Sequence, residues 1–171
     1  MEERHTGGRA YALRLAGWED VDLLFSWANE REVRRYSFSQ EPIGYEEHCA
    51  WFKEKMQDKD SQIYIFCEEK QEKGMLRLDF CGNTVEISYS IAPEERQKGY
   101  GKELILLAEK EICQRFQRMK RDFPDMGQAC HIVVIKARVK EGNLASNRIF
   151  TKLGYEKCKG GYEKRRKVGR G

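Results

Sequence analysis

The spacing of apolar residues along the chain predicts a mixture of helices and strands. Weak alternation from Tyr11 to Leu15 predicts a first strand. Two segments with helical spacing follow it. The first carries Trp18, Val21, Leu24, Phe25 and Ala28, and the second, which begins after Pro42-Ile43-Gly44, carries Tyr45, Cys49, Phe52 and Met56.

The middle of the chain changes to a period of two, which predicts strands. Residues 63–66 form a short apolar run, and residues 76–80 and 85–91 alternate apolar with polar side chains. Gly74 and Gly82-Asn83 stand at the predicted joints. We therefore expect three strands joined by hairpins and paired antiparallel.

The last third of the chain predicts a long helix, a strand, a short helix and a hairpin. The long helix begins near Gly99 and ends before Phe123-Pro124. Residues 132–135 form a buried strand, the short helix ends at Gly154, and the hairpin turns at Gly160-Gly161. This order predicts an α+β fold with a mixed, mostly antiparallel central sheet flanked by helices. We assign residues 10–164 to one domain, residues 1–9 to a disordered lead and residues 165–171 to a basic tail.

The composition is that of a globular protein. The chain has 171 residues, of which 40% are hydrophobic, and a net charge of +4. Its six cysteines form no C-x-x-C pair, and no apolar run reaches the roughly 20 residues that span a bilayer. Its basic residues are not interleaved with aromatics as on a nucleic-acid-binding face. We expect a cytoplasmic protein, a monomer or homodimer, that uses no metal, no nucleic acid and no membrane.

The most informative segment runs from Ser90 to Lys102. A strand ends at Pro93, and a turn flanked by Gly99 and Gly101 opens the long helix. The first N–H groups of a helix have no partners inside it and favour an anion. Glycines let a phosphate approach the backbone, and lysines at 98 and 102 add positive charge. Taken alone, the pattern also fits an ordinary helix start with glycines for turn geometry.

Two motifs together resemble a known family. Arg96-x-x-Gly99-x-Gly101 resembles the acetyl-CoA signature of the GNAT superfamily of N-acetyltransferases, and Asn143-Leu144-Ala145-Ser146, followed by residues 150–155, resembles its later motif. Both stand in the family's order, and the resemblance extends from about Tyr11 to Tyr162. It implies a sheet that splays open between the strand ending at Ile91 and the strand at 132–139. Acetyl-CoA, the acetyl donor, would lie in that cleft.

The resemblance also implies which residues hold the donor. The amides of residues 97–102 would bind the pyrophosphate, and the strand around Ser90 would pair with the pantetheine arm. The Ile91 amide would polarise the thioester carbonyl, and Asn143 would bind the arm near the sulfur. The full set expected at the cofactor is Ser90, Ile91, Ala92, Arg96, Gln97, Lys98, Gly99, Tyr100, Gly101, Lys102, Asn143 and Phe150.

The candidates for proton transfer are Glu86, Ser146 and His48. Glu86 shares a strand face with Ser88 and Ser90, and this position makes it the first candidate base. The same position is equally typical of an exposed polar residue on a half-buried strand. Many family members carry a tyrosine acid where this chain has Phe150, so Ser146, a water or simple solvation of the thiolate would take its place. His48 is the next candidate base, although its helix position is more typical of packing.

The N-terminal third resembles one GNAT subgroup in particular. The segments that carry this resemblance are Trp27-Ala28-Asn29-Glu30, Val33-Arg34-Arg35-Tyr36-Ser37 and His48-x-x-Trp51-Phe52. The subgroup acetylates nucleotide-linked 4-amino-4,6-dideoxy sugars, as in the pseudaminic acid pathway, and implies a small-molecule amine of that class as acceptor. A protein N-terminus, as in ribosomal-protein acetyltransferases, a polyamine, and a non-catalytic acyl-CoA-binding module remain the alternatives.

Overall fold

A computed structural model describes residues 2–6, 9–122 and 132–168. Its strands are β1 (Glu2–Thr6), β2 (Arg9–Leu15), β3 (Ser61–Glu68), β4 (Gln71–Cys81), β5 (Thr84–Ile91), β6 (Ile132–Arg138), β7 (Glu156–Cys158) and β8 (Gly161–Lys167). Its α-helices are α1 (Val21–Ala28), α2 (Arg31–Tyr36), α3 (Tyr45–Gln57), α4 (Tyr100–Asp122) and α5 (Leu144–Lys152). Short 3₁₀ turns at Trp18–Asp20 and Pro93–Glu95 precede α1 and α4.

All eight strands form one sheet in the order β1-β2-β3-β4-β5-β6-β8-β7. Every neighbouring pair is antiparallel except β5 and β6, which are parallel. A parallel pair needs a crossover connection, and α4 lies in the connection between β5 and β6. The predicted α+β fold with a mostly antiparallel sheet is confirmed.

Helices cover both faces of the sheet, because the strands alternate their apolar side chains. On one face, α4 buries Leu104, Leu107, Ala108, Ile112 and Phe116 against strand residues that include Phe66, Leu76, Val85 and Ile87. On the other face, α1 and α3 bury Leu24, Trp27 and Phe52 against Ile63 and Ile65. Successive residues of each strand therefore point to opposite faces of the sheet and pack into the two different cores.

The sheet opens between β5 and β6. These strands pair only from Thr84↔Val134 to Ile87↔Ala137, while β5 stays paired with β4 as far as Gly74↔Ile91. The last four residues of β5 therefore face an opening on their β6 side. This opening is the predicted splay, and we call it the cleft.

Both termini differ from the sequence-based expectation. The sequence predicts a disordered lead, but Glu2–Thr6 forms β1 and pairs with β2. It also predicts a basic tail from residue 165, but β8 continues to Lys167, which pairs with Ile132, and Val168 is buried. In each place the terminal segment covers backbone N–H and C=O groups that would otherwise lie on an open strand edge. Residues 169–171 lie outside the described ranges.

Gly74 also has a different role from the one predicted. The turn between β3 and β4 falls at Glu69-Lys70, where both residues have positive φ, and Gly74 lies inside β4. A Cβ at this position would stand 2.4 Å from the Ser90 carbonyl oxygen. Glycine is required at Gly74 because β5 approaches the backbone of β4 this closely.

The described ranges lack two features that other classes of function would need. None of their helices is long and apolar enough to cross a membrane. Nor do those ranges bring together three or more histidine, cysteine, aspartate or glutamate side chains as a metal site would need.

Candidate active site

The β5 wall of the cleft presents backbone groups. Ala92 N donates to Lys73 O at 2.9 Å, so Ala92 and, by alternation, Ser90 direct their backbone groups toward β4. Tyr89 and Ile91 therefore direct theirs toward the cleft, and the Ile91 carbonyl accepts from Arg96 Nε at 3.4 Å on that side. The Ile91 N–H therefore lies on the cleft side of β5. Ala92 is buried on the α1–α3 side and is not on this wall.

The loop at the end of β5 forms a cradle of amides. Gln97 and Gly99 have positive φ values of 62° and 87°, and α4 begins at Tyr100. Residues 97–99 are exposed, and the first bond within the helix start runs from Lys102 N to Gly99 O. The amides of residues 99–101 therefore point out of the helix end. A Cβ at Gly99 would meet nothing within 4 Å, so the loop has room for a phosphate, and its residues fit an anionic pyrophosphate group.

The charged side chains of this loop contribute less positive charge to a ligand site than the sequence predicts. Arg96 Nη2 pairs with Glu30, and Lys98 Nζ lies 2.9 Å from Glu95. Their charges are therefore engaged within the protein and are not directed at a ligand. Lys102 is exposed and forms no ion pair with any described residue.

Tyr100 and Gly101 also serve packing. The Tyr100 side chain is buried and donates to Glu68 Oε2 at 2.6 Å, which leaves only its backbone for a ligand. A Cβ at Gly101 would stand 2.7 Å from Ile149 Cδ1, so this glycine lets α5 approach α4. The two glycines of the motif thus have different roles, one in the turn and one between helices.

The first turn of α5 faces the open part of β5. Asn143 caps this helix, its Oδ1 accepting from Ser146 N at 3.1 Å. The Ser146 hydroxyl lies 2.9 Å from the Tyr89 hydroxyl. Asn147, which the sequence gives no reason to select, fixes the preceding loop by donating to the carbonyls of Lys140, Glu141 and Asn143. The structure therefore brings Asn143 and Ser146 together with β5, as the motif implies.

Phe150 does not line the cleft, contrary to the prediction that it contacts the cofactor. Its side chain is fully buried. The rings of Tyr89, Tyr155 and Tyr162 surround it at centroid distances of 6.0, 4.9 and 5.5 Å. The helical period of α5 turns this position toward the core. Phe150 is part of the packing beneath the cleft.

The opposite face of β5 carries polar groups that we call the acceptor face. Glu86 and Ser88 lie on it, as alternation predicts. Glu86 Oε1 pairs with Arg138 Nε at 2.7 Å, and Arg138 lies over the Phe38 ring at 4.9 Å. Arg77 Nη2 donates to Ser88 Oγ at 3.4 Å and its guanidinium lies 5.7 Å from the Trp51 ring centroid. The Glu86 carboxylate therefore lies on the acceptor face as one member of an ion pair with Arg138. The sequence alone does not reveal this pairing.

His48 occupies a packing position and is not retained as a candidate base. It is 2% exposed, and its Nε2 lies 3.1 Å from the Val21 carbonyl oxygen, to which it donates. Burial lowers the pKa of His48, which favours the neutral imidazole. Phe25, Trp51 and Phe52 surround the ring at 5.4 to 6.3 Å. The buried side of α3 is thus centred on His48 and Phe52, whereas Tyr45 is exposed.

Helix α2 and the segment after it stand beside the cleft. Glu30 caps α2 by accepting from the amides of Glu32 and Val33, and the same carboxylate pairs with Arg96 in the loop at the end of β5. A depression of about 640 Å³ lies on α2, lined by Asn29, Arg31, Glu32, Arg34, Arg35, Gln40 and Pro42. Arg34 shapes its rim by donating to the Ser39 and Glu41 carbonyls and to Ser37 Oγ. Arg31 and Arg35 are exposed, and Arg35 Nη1 lies 3.6 Å from Glu32 Oε1. Three arginines against one carboxylate make the depression basic.

The site therefore combines an open parallel strand pair, an amide cradle at its end and a capped helix opposite. This arrangement fits an extended anionic molecule that lies in the opening of the sheet. The model for the acetyltransferase (GNAT) domain matches residues 12–156 of this chain. The chain belongs to the GNAT acetyltransferase family and is an acetyl-CoA-dependent N-acetyltransferase.

Several solved structures share the fold. A domain from Methanocaldococcus jannaschii matches with a TM-score of 0.70 and 18% identity, covering 97% of this chain and 99% of its own. Spermidine N-acetyltransferase from Vibrio cholerae, solved with CoA and spermine, matches with a TM-score of 0.63 and 18% identity over 91% and 92%. An aminoglycoside acetyltransferase solved with coenzyme A matches with a TM-score of 0.66 and 15% identity over 91% and 92%. No curated protein sequence matches this one.

Proposed function

We propose that the enzyme acetylates the 4-amino group of a nucleotide-linked amino-deoxy-sugar. The basic depression on α2 is the observation that carries this assignment. Three of its seven lining residues are arginines and one, Glu32, is acidic. Guanidinium groups favour phosphate, and a sugar joined to a nucleotide through a diphosphate carries two such groups. A polyamine, which is cationic, would need the opposite lining.

The donor half of the mechanism relies on backbone groups. The amides of residues 99–101 bind the pyrophosphate, and the cleft side of Tyr89 and Ile91 pairs with the pantetheine arm. Acetyl-CoA supplies the thioester whose carbonyl is attacked. The Ile91 N–H donates a hydrogen bond to that carbonyl oxygen, and a single donor of this kind contributes about 3 kcal/mol to transition-state stabilisation.

Glu86 is the proposed base on the acceptor half. Glu86 lies five residues before Ile91, which is about 17 Å along the strand. The carboxylate is therefore a remote base, and the proton of the ammonium group reaches it through ordered water. Arg138 holds the carboxylate on this face. Ser146, at the start of α5, is the proposed donor to the departing sulfur.

A screen of thiol release from acetyl-CoA tests the acceptor. The panel contains UDP-linked 4-amino-4,6-dideoxy sugars, the same sugars without the nucleotide, spermidine, an aminoglycoside and peptides with free N-termini. We expect the nucleotide-linked sugar to give the highest kcat/KM, and removal of the nucleotide to lower it at least about tenfold. A higher kcat/KM for spermidine or for a peptide would overturn the acceptor assignment.

A further inference from the structure

Two hydroxyl groups meet beside the cleft. Tyr89 Oη and Ser146 Oγ are 2.9 Å apart although the residues are 57 positions apart in the sequence. Tyr89 lies on the part of β5 that has no β6 partner, and Ser146 lies in the first turn of α5. We call them the hydroxyl pair. They link β5 to the first turn of α5 near Asn143.

The surroundings of the pair fix both members. The Tyr89 ring lies 6.0 Å from Phe150, and a Cβ at Gly101 would stand 3.6 Å from the ring and 3.9 Å from its hydroxyl. Ser146 is held by its own amide, which donates to the Asn143 cap. The pair therefore lies where β5, α4 and α5 meet. Phe150 lies beneath the pair and has no hydroxyl.

We propose that the hydroxyl pair stabilises the departing thiolate: Ser146 O–H donates to the sulfur, and Tyr89 O–H donates to Ser146 Oγ and holds it in place. The inference rests on the proposed position of the thioester in the cleft. Ser146 is the catalytic residue of the pair because it touches the sulfur, and Tyr89 is a positioning residue that acts through Ser146.

The step balances without proton loss from either hydroxyl. The amine nitrogen forms a bond to the acetyl carbon, the C–S bond breaks, and its electron pair stays on the sulfur. The proton lost by the nitrogen leaves through Glu86 and water. The thiolate takes up a proton from solvent after the amide has formed. Burial raises the pKa of Tyr89 to about 12, so its hydroxyl remains a donor at neutral pH.

The pKa of the thiol of bound CoA reports directly how strongly the hydroxyl pair stabilises the thiolate. It is read from the ultraviolet absorbance of the thiolate as pH is raised, with desulfo-CoA as the blank for tyrosine ionisation. In the unmodified enzyme we expect this pKa to lie below the value of about 8.5 typical of a free thiol. Tyr89→Phe and Ser146→Ala should each raise the bound thiol pKa by about 1. The double variant should match the single ones, because the two hydroxyls act as a unit.

Two further variants separate a catalytic role from a structural one. Tyr162→Phe removes another buried hydroxyl that donates to α5, at Asn147 Oδ1, and should leave the bound thiol pKa unchanged. Ser146→Thr keeps a hydroxyl and should restore the low pKa. For acetyl transfer, Tyr89→Phe and Ser146→Ala should lower kcat about tenfold with little change in KM.

The inference is overturned if the bound thiol pKa is the same in Tyr89→Phe, Ser146→Ala and the unmodified enzyme. An effect of Ser146→Ala without one of Tyr89→Phe removes Tyr89 from the proposal. An equal effect of Tyr162→Phe shows that the position of α5, and not the hydroxyl pair, sets the thiol pKa. Failure of the cleft assignment itself would look different, because CoA would then keep its affinity when Gly99 is replaced by glutamate.

Discussion

The two halves of the proposed active site are built from different materials. The donor half consists of backbone groups, namely the open edge of β5 and the amides that precede Lys102. The acceptor half consists of charged side chains held in pairs, such as Glu86 with Arg138 and Arg77 with Asp79. Backbone groups can be provided by many sequences, whereas each side-chain pair needs two particular residues. The difference teaches that donor binding is a property of the fold and that acceptor choice is a property of this sequence.

Replacement of Gly99 should have the largest effect, because it changes the backbone on which the donor half depends. Gly99→Glu puts a side chain at φ 87°, which costs about 1–2 kcal/mol, and adds a negative charge where the pyrophosphate would lie. We expect no measurable CoA binding by calorimetry. Gly82→Glu is the matched control, since Gly82 has φ 58° in the β4–β5 turn, and should bind CoA normally. Normal CoA affinity in Gly99→Glu would show that the donor lies elsewhere.

Glu86→Gln tests whether the acceptor half supplies the base. We expect kcat/KM for the best sugar acceptor to fall by about 10² to 10⁴, with the acidic limb of the pH profile altered and CoA affinity unchanged. Glu72→Gln serves as control, because Glu72 pairs with Arg14 at 3.3 Å and is not on the acceptor face. Full activity in Glu86→Gln would reduce Glu86 to a surface carboxylate paired with Arg138.

Substitutions in the basic depression should affect nucleotide binding alone. Replacing both Arg31 and Arg35 by glutamine should weaken UDP binding roughly tenfold while leaving CoA affinity unchanged, because exposed cations on phosphate contribute modestly. The control is the pair Arg118→Gln and Arg121→Gln, which lies about 27 Å along α4 from the loop at the end of β5. If the substitutions weakened CoA binding and UDP binding equally, the depression would belong to the donor site. The donor and acceptor halves would then not be separate.

Replacement of His48 should have the smallest effect, and this effect should be on the free energy of unfolding only. Burial lowers the pKa of His48, so the unfolded chain, with a pKa of about 6.5, takes up a proton first as pH falls. The stability that the neutral ring provides is complete above about pH 6.5 and is lost as the pH falls through the folded-state pKa. Urea unfolding between about pH 7 and pH 5 should show this loss, and His48→Gln should reduce it without changing kcat. The lowered pKa values of Asp20 and Asp79 act below about pH 4 and stay outside this window.

Sequence reasoning reached the donor half because consecutive residues form it. The alternation of β5, the proline after it and the glycines before α4 lie within Ser90 to Lys102, and each reflects local chain geometry. The same is true of the three hairpin strands and of α4, whose apolar period is strong. Helix α2 was not predicted, because none of its six residues is buried and it therefore shows no apolar period.

The pairings across the cleft could not be predicted from one sequence. Arg96 meets Glu30 at a separation of 66 residues, and Arg138 meets Glu86 at a separation of 52. No spacing rule connects such residues, because their meeting depends on the order of strands in the sheet. For the same reason the resemblance places Arg96 and Phe150 at the cofactor, although Arg96 is paired with Glu30 and Phe150 is buried.

The single parallel strand pair also has a consequence for how the protein folds. Strands β3, β4 and β5 pair through hairpins, and β1 pairs with its chain neighbour β2. Two contacts close much longer loops: β2 with β3 joins Leu15 to Tyr64, and the segments at β5 and β6 join Asn83 to Ile132, each pair 49 residues apart. Closing so long a loop costs more chain entropy than closing a hairpin, and non-local contacts slow folding. We expect the β3–β4–β5 hairpins to assemble first and β2 and β6 to dock later, so the cleft forms in a slow step of folding.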